Sequence, residues 1–338
     1  MKIKNTEIWL ILDSRKPGGI ETHVQQLAEG LKNQGEKVAV IFLTHFGEHP
    51  LRTALKQSGI RTISLDGRFI TLWKALRNSR PRILHTHGYK AGIFGRFAAG
   101  LCKTPVISTY HTGEIASGKL ELYHWLDRQS ARIASMIFAV SPQIAERLPV
   151  AAHVVDNFID TTNVETSIGN EIAFVGRLST EKGPDYFLQL ASRFPQQIFH
   201  IYGDGPEYSA LRPAASENVI FHGQQNDMTL IWPRIGLLVM PSRHEGLPMA
   251  ALEAMARGIP VLASRVGALD QLIDSNINGW LAAAGNINEL DLALREWIAM
   301  PMQGRLDYKQ AARNKIQQRF TAAIAIPELI NCYRQIAI

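Results

Sequence analysis

Residues 240–261 read Met-Pro-Ser-Arg-His-Glu-Gly-Leu-Pro-Met-Ala-Ala-Leu-Glu-Ala-Met-Ala-Arg-Gly-Ile-Pro-Val. The apolar run 236–240 predicts a strand that stops at Pro241, and a polar loop follows. A helix is expected over 247–257, with Pro248 in its first turn, where proline fits. A second strand is expected over 259–263. Strand, loop, helix and strand in so short a span is the repeat of a parallel sheet, whose neighbouring strands need a crossover. The free N–H groups at the helix start would attract a phosphate. Glu245 stands just before the helix and Glu253 eight positions on, about 12 Å along the axis at about 1.5 Å per residue. That length suits a ligand with phosphates at the helix start, a sugar at one end and a ribose at the other, the carboxylates accepting from hydroxyls at both ends. Glu253 alone could instead cap a surface, but its apolar neighbours make it half-buried, and a buried carboxylate needs partners.

Working upstream, Phe174-Val175-Gly176-Arg177-Leu178-Ser179-Thr180-Glu181-Lys182-Gly183 ends another strand in a glycine. Arg177 and Lys182 stand on its loop and can converge on a diphosphate, the arginine by paired hydrogen bonds and the lysine as a point charge. Near the N-terminus, Lys16-Pro17-Gly18-Gly19-Ile20-Glu21 joins a strand to a helix. Gly18 and Gly19 would let backbone amides approach an anion. The spacing is not Gly-x-Gly-x-x-Gly, so a nicotinamide cofactor is not supported; an ordinary strand-to-helix turn is the plainer reading of that segment taken alone.

The same alternation fills the chain. Strands are expected over 6–12, 37–43, 60–65, 82–86, 105–109 and 135–140, with helices over 20–34, 50–58, 70–78, 89–101 and 120–133. A polar linker, Asp160 to Asn170, follows. Strands over 171–175, 197–202 and 218–221 then alternate with helices over 183–193 and 206–213, and further helices are expected over 267–274, 287–299 and 307–318. This predicts an α/β protein of two facing doubly wound, Rossmann-like domains, 1–160 and 161–319. A last helix, about 320–338, is expected to return to the first domain. Ligands in such sheets sit beyond the carboxyl ends of the strands.

With 338 residues, 46% hydrophobic and 20% charged, the chain has the composition of a folded two-domain protein. Two cysteines, Cys102 and Cys332, lack metal-ligand spacing, and a reducing compartment fits. Lys2 and Lys4 precede an apolar run that is too short for a signal peptide and ends in Asp13 without a cleavage site. The expected location is the cytoplasm, with an inner-membrane surface as a second setting. Residues 1–160 carry 21 Lys and Arg against 13 Asp and Glu, and residues 161–338 carry 15 against 17. The basic first half suggests an anionic partner, a membrane surface or acidic acceptor; nucleic acid is not expected, because no nucleic-acid module is found. The segment 89–103 places Ile93, Phe94, Phe97 and Leu101 near one helical face together with Lys90, Arg96 and Lys103. It reads either as a membrane-facing helix or as an ordinary core-facing one.

These motifs together resemble the retaining GT-B glycosyltransferases called group 1. The resemblance rests on the Glu245–Glu253 element in PSRHEGLPMAALEAMARGIPVLAS, on FVGRLSTEKG, IYGDGPE (201–207), VIFHG (219–223) and VSPQIAERL (140–148), and on GGIE (18–21), HTHG (85–88) and TYH (109–111). It covers nearly the whole chain. It implies that Glu245 contacts the donor sugar, that Glu253 holds the ribose, and that Arg177 and Lys182 grip the diphosphate and help it leave. Gly19, beside Gly18, would lie under the phosphates and His111 would face the reacting sugar. Gly246, Leu247, Met249 and the neighbours of Pro248 would complete the phosphate cradle, and the base would rest on backbone at His222 and Gly223.

The implied chemistry is retaining transfer of a hexose or N-acetylhexosamine, with no protein nucleophile, no cofactor and no metal. The donor expected is a UDP-sugar; the acceptor, suggested by the basic first half, is a saccharide or lipid-linked acceptor such as a lipopolysaccharide core. A sugar-nucleotide epimerase and a non-catalytic nucleotide-sugar-binding subunit are the rivals. Two departures from the family pattern stand out. Ala268 and Gln271 replace a Gly and a Glu, and Asn157-Phe158 replaces Asn-Gly, so that Phe158 is expected to narrow the cleft. Among the other histidines, His85 reads as a core residue bonded to a neighbouring loop, His87 stays undecided, and His244 could face solvent or donor.

Overall fold

Ile8-Trp9-Leu10-Ile11-Leu12 is apolar at every position and is buried along its whole length. Such strands belong in parallel sheets covered on both faces, and the computed structural model, which describes residues 7–111 and 119–336, contains two. Lys2, Lys4 and residues 337–338 of the expected last helix lie outside the described residues. The chain divides into two compact units, Met1–Asp160 with Ala322–Ile338, and Thr161–Thr321.

The first unit runs β1 (Ile8–Leu12), α1 (Gly19–Asn33), β2 (Val38–Phe42), α2 (Pro50–Gln57), β3 (Arg61–Ser64), α3 (Phe69–Ser79), β4 (Ile83–His87), α4 (Tyr89–Cys102), β5 (Val106–Tyr110), α5 (Lys119–Ser130), β6 (Met136–Ala139), α6 (Pro142–Glu146) and β7 (His153–Val154). Its sheet is all parallel in the order β3-β2-β1-β4-β5-β6-β7. The direction of winding reverses between β1 and β4.

The second unit runs β8 (Glu171–Val175), α7 (Pro184–Ser192), β9 (Phe199–Tyr202), α8 (Tyr208–Ala214), β10 (Val219–Gly223), β11 (Ile235–Met240), α9 (Met249–Ala256), β12 (Val261–Ser264), α10 (Leu269–Leu272), β13 (Gly279–Ala282), α11 (Ile287–Ala299) and α12 (Met302–Arg319). Its parallel order is β10-β9-β8-β11-β12-β13, reversing between β8 and β11. The edge strand β13 was not anticipated; its four residues follow Asn276-Ile277-Asn278, a turn signal, and include Gly279 and Ala282, which are depleted in strands. The stretch read as a polar linker is tied into this unit, where Ser167 Oγ donates to the carbonyl of Ile235 at 2.6 Å and its N–H donates to that of Arg257.

The last helix, α13 (Ala322–Ile336), belongs to the first unit. Ile326, Leu329, Ile330 and Tyr333 are buried among the side chains of α1 and the sheet. Gly30 of α1 permits the contact: a Cβ there would lie 2.6 Å from Ile326. No helix among the described residues is long and apolar enough to cross a membrane.

Two expectations are corrected. Arg96 is not part of a basic surface: it is fully buried, donating to Ser108 Oγ, Ser130 Oγ, the Asp127 carbonyl and the Asp127 carboxylate. Phe158 is likewise fully buried in the core of the first unit, where it fills space and narrows nothing.

Leu329→Ala is expected to destabilise the first unit by about 2–5 kcal/mol, the usual cost of a core leucine truncation. Urea unfolding followed by far-UV circular dichroism reads it, and an unchanged midpoint would separate α13 from this core.

Candidate functional site

The chain segments that leave the strands at a winding reversal splay apart and open a crevice. In the second unit those strands are β8, which runs into Gly176-Arg177, and β11, which runs into Pro241-Ser242. Gly183, at φ +65°, brings the first loop onto the second; a Cβ there would stand 2.1 Å from the Pro241 carbonyl. The result is one lysine–glutamate pair. Lys182 Nζ donates to Glu245 Oε1 at 2.8 Å and Oε2 at 2.7 Å, and Ser242 Oγ donates to Oε1 at 2.8 Å. The Glu245 side chain is only 4% exposed.

The neighbouring residues fasten the two loops. Arg243 forks onto Asp185 at 2.8 and 2.6 Å and lies over the Tyr186 ring, and its hydrogen bonds hold the Asp185 carboxyl below its ordinary range. The Arg243 and His244 N–H groups donate to the Glu181 carbonyl. His244 itself is exposed to solvent. Arg177 is also exposed and makes no ion pair with a described residue.

Helix α9 begins two residues later than expected. Pro248 is the capping residue, extended at φ −74° and ψ 129°, and offers no side-chain cap. The N–H groups of Met249 and Ala250 therefore take no backbone acceptor among the described residues. Gly246 supports the turn by accepting from the Ala268 N–H at 2.8 Å, while Leu247 is buried. Gln271, in place of the family's Glu, accepts from Arg319 at 2.6 Å.

Glu253 is half-buried and has the partner that its surroundings demand: Trp232 Nε1 donates to Oε2 at 2.9 Å. Burial raises its carboxyl above the ordinary range, and the tryptophan bond opposes that rise. Trp232 went unnoticed in the sequence. Its signal was a buried-type aromatic in Ile231-Trp232-Pro233, immediately before a strand.

The expected base platform is only partly available. The His222 carbonyl already accepts from Gln225 Nε2 at 2.9 Å and the Gly223 carbonyl from the Gly203 N–H at 2.9 Å. The His222 ring instead stacks with Tyr202 and His200, within 8° of parallel.

At the reversal in the first unit, Gly18 caps α1 in extended conformation, its carbonyl accepting from the Thr22 N–H, and Gly19 opens the helix; both are exposed. His111, just beyond β5, lies 3.0 Å by Nε2 from His87 Nδ1. His85 is a core residue as expected, but its partners are Tyr333 OH on α13 and Thr109 Oγ1 on β5, each at 2.7 Å, and not a loop. Burial keeps His85, His87 and His111 well below the ordinary imidazole range and brings His23 to about 4. His23 escaped the sequence reading because it sits mid-helix, with nothing around it to mark its neighbours.

Two doubly wound parallel units, one carrying a cation-and-carboxylate loop where its winding reverses, define the GT-B class. Residues 17–163 match the family model for Glycosyltransferase Family 4 and residues 160–315 that for Glycosyl transferases group 1, and the chain belongs to the group 1 glycosyltransferases. It is 26% identical to UDP-Gal:alpha-D-GlcNAc-diphosphoundecaprenol alpha-1,3-galactosyltransferase of Escherichia coli, with 86% of each chain covered. It is 25% identical to 2-deoxystreptamine N-acetyl-D-glucosaminyltransferase of Streptomyces fradiae, covering 76% of this chain and 69% of that one. In fold it is similar to Anabaena HepE, solved with UDP and glucose, at a TM-score of 0.84 and 19% identity over 97% and 99% of the two chains.

Glu253→Gln and Trp232→Phe are expected to weaken nucleoside diphosphate binding alike, by about tenfold, the worth of one charge-assisted hydrogen bond of about 1.5 kcal/mol. Calorimetric titration decides. Full affinity in Trp232→Phe would mean that Glu253 needs no orientation.

Proposed function

We propose that this glycosyltransferase moves a hexose or N-acetylhexosamine from a UDP-sugar to a saccharide or lipid-linked acceptor, with retention, without a metal, in lipopolysaccharide or other surface-glycan synthesis. The observation that carries this reading is the gathering of Arg177, Lys182, Glu245 and the free N–H groups of α9 at the winding reversal of the second unit. A nucleotide diphosphate lies at that place in doubly wound sheets. The UDP-sugar donor and the lipid-linked acceptor draw support from the names of the relatives above.

In the proposed reaction the anomeric C1–O bond breaks and its electron pair passes to the β-phosphate. The acceptor oxygen bonds to C1 from the same face, and its proton passes to the departing phosphate oxygen. Catalysis then depends on stabilising negative charge on the leaving group with fixed donors. Arg177 makes no ion pair with a described residue and can turn its fork onto the diphosphate. Lys182 has three donors, and its two contacts with Glu245 leave about one for a phosphate oxygen. Glu245 in turn keeps about one unused acceptor site for a sugar hydroxyl. The role proposed for His111 is a hydrogen bond to the sugar from an imidazole without charge.

An anionic membrane surface is the proposed setting, and α4 supports it. The buried face of α4 is built from Ala91, Gly92, Gly95, Arg96, Ala98 and Ala99, and of its large apolar residues Phe94 packs in part against the core. Phe97 and Leu101 are instead 49% and 68% exposed. With Phe69, Ile93, Phe94 and Ile133 they line an open apolar groove of about 440 Å³. Exposed Arg77, Arg80, Lys103 and Arg132 stand on the same helices or next to groove residues in the chain. Cations near an anionic leaflet contribute about 1 kcal/mol each, and neighbouring apolar side chains insert shallowly.

Arg177→Ala and Lys182→Ala should each lower turnover by on the order of 10², as removal of a fixed charge-stabilising donor does. Transfer should survive excess EDTA; dependence on added magnesium or manganese overturns the proposed role of the cation pair. In a separate measurement, the protein should sediment with anionic vesicles at low salt, leave them at high salt and ignore neutral ones. A Phe97→Ser, Leu101→Ser double variant should lose that binding, and its persistence would move the contact away from α4.

A further inference from the structure

Three imidazoles meet at the carboxyl edge of the first unit's sheet: His23 from α1, His87 at the end of β4 and His111 just past β5. One ring nitrogen from each lies within 4.8 Å of the other two. His23 Nδ1 and His87 Nε2 are buried and find no hydrogen-bond partner among the described residues. An unpartnered buried nitrogen is costly to keep, and native cores rarely hold one without a reason. No carboxylate of a described residue joins the group. In tetrahedral geometry at about 2.1 Å, ligand nitrogens stand roughly 3.4 Å apart, so three nitrogens that lie within 4.8 Å of one another need only a short inward adjustment to hold an ion.

The surroundings keep these rings in place. His85 has both nitrogens engaged and is no ligand, but its ring packs 4.3 Å from that of His87. The Phe158 ring lies 5.5 Å from that of His23, and the Asn157 side chain hydrogen-bonds His23. Partners of this kind orient the ligands of a metal site.

We propose that His23, His87 and His111 form a tridentate site for a transition-metal ion of the Zn²⁺ or Co²⁺ type, with a fourth position open to water, and that its occupation inhibits transfer. Three imidazoles without oxygen ligands suit zinc, cobalt, nickel or copper, whereas magnesium, manganese and calcium prefer carboxylates and water. The inhibition rests on the proposed role of His111 at the sugar, because a ligated imidazole is no longer free to bond a hydroxyl. Metal binding itself does not rest on that role.

The test is a Co²⁺ titration of the tag-free, metal-stripped full chain, read by visible absorption. One Co²⁺ per chain should produce the absorption of tetrahedral coordination, and one equivalent of Zn²⁺ should displace it. His23→Gln and His87→Gln should each weaken binding by 100-fold or more, with folding checked by far-UV circular dichroism. His200→Gln, in the stacked pair of the second unit, should leave it intact. Absence of the band in the wild-type chain overturns the site whatever the variants do, as does its survival in both folded variants. In the transfer assay, one equivalent of Zn²⁺ should slow the wild-type chain by tenfold or more, reversibly with EDTA, and leave the EDTA-level rate of His23→Gln unaltered. A Co²⁺ band without inhibition supports the metal site and removes His111 from the sugar; inhibition without a band overturns the site.

Discussion

A parallel strand covered on both faces has no water along its length, so every polar side chain on it must find a partner inside the protein. Strand β4 places this demand on three residues in a row. His85 meets it with Tyr333 and Thr109, Thr86 with Ser108, and His87 with His111. The first of these ties the last helix of the chain to the centre of the sheet, between residues 248 positions apart. The requirement relaxes only at the carboxyl edge, where the covering helices have not yet begun. Polar groups that are not consumed by pairing therefore collect there, in this unit as imidazoles and in the other as the Arg177, Lys182 and Glu245 loops.

Those loops are held by one another. Glu245 is nearly sealed from solvent, and Lys182 is the charge that makes its burial tolerable; removing either would strand the other. Glycines set the spacing. At Gly183 the backbone approaches Pro241, and at Gly267 it approaches the carbonyls of Glu245 and Gly246, where a Cβ would stand at 2.4 Å. With Arg243 clamped to Asp185, the lysine is held in place by the protein's own groups, as the proposed electrostatic role asks of it.

Helix α4 follows the same logic from the opposite side. Because the fully buried Arg96 must reach Asp127, Ser108 and Ser130, Gly92 and Gly95 leave room: a Cβ on Gly92 would meet Asp127 and Arg96, and one on Gly95 would meet Thr86. A helix seated this closely on its sheet has no space beneath it for phenylalanine or leucine. Phe97 and Leu101 point outward for that reason, and Phe94 packs against the Phe69 ring.

Most of the architecture is local in origin and could be read from the sequence. Apolar runs of five residues between amphipathic segments specify parallel strands, and glycine, proline and charged residues at their ends mark the ligand edge, so the two sheets and the positions of Arg177, Lys182, Glu245 and Glu253 were legible. Strand β13 was not, because Gly279 and Ala282 are poor strand formers. Pairings between distant positions were also hidden. Nothing in the spacing of Trp232 and Glu253, of Lys182 and Glu245, or of His23, His87 and His111 announces contact, and a periodic pattern cannot say whether the large or the small residues of α4 face the core. Those matters were decided by tertiary packing, since a side chain's partner depends on which strands become neighbours and how closely a helix can approach them.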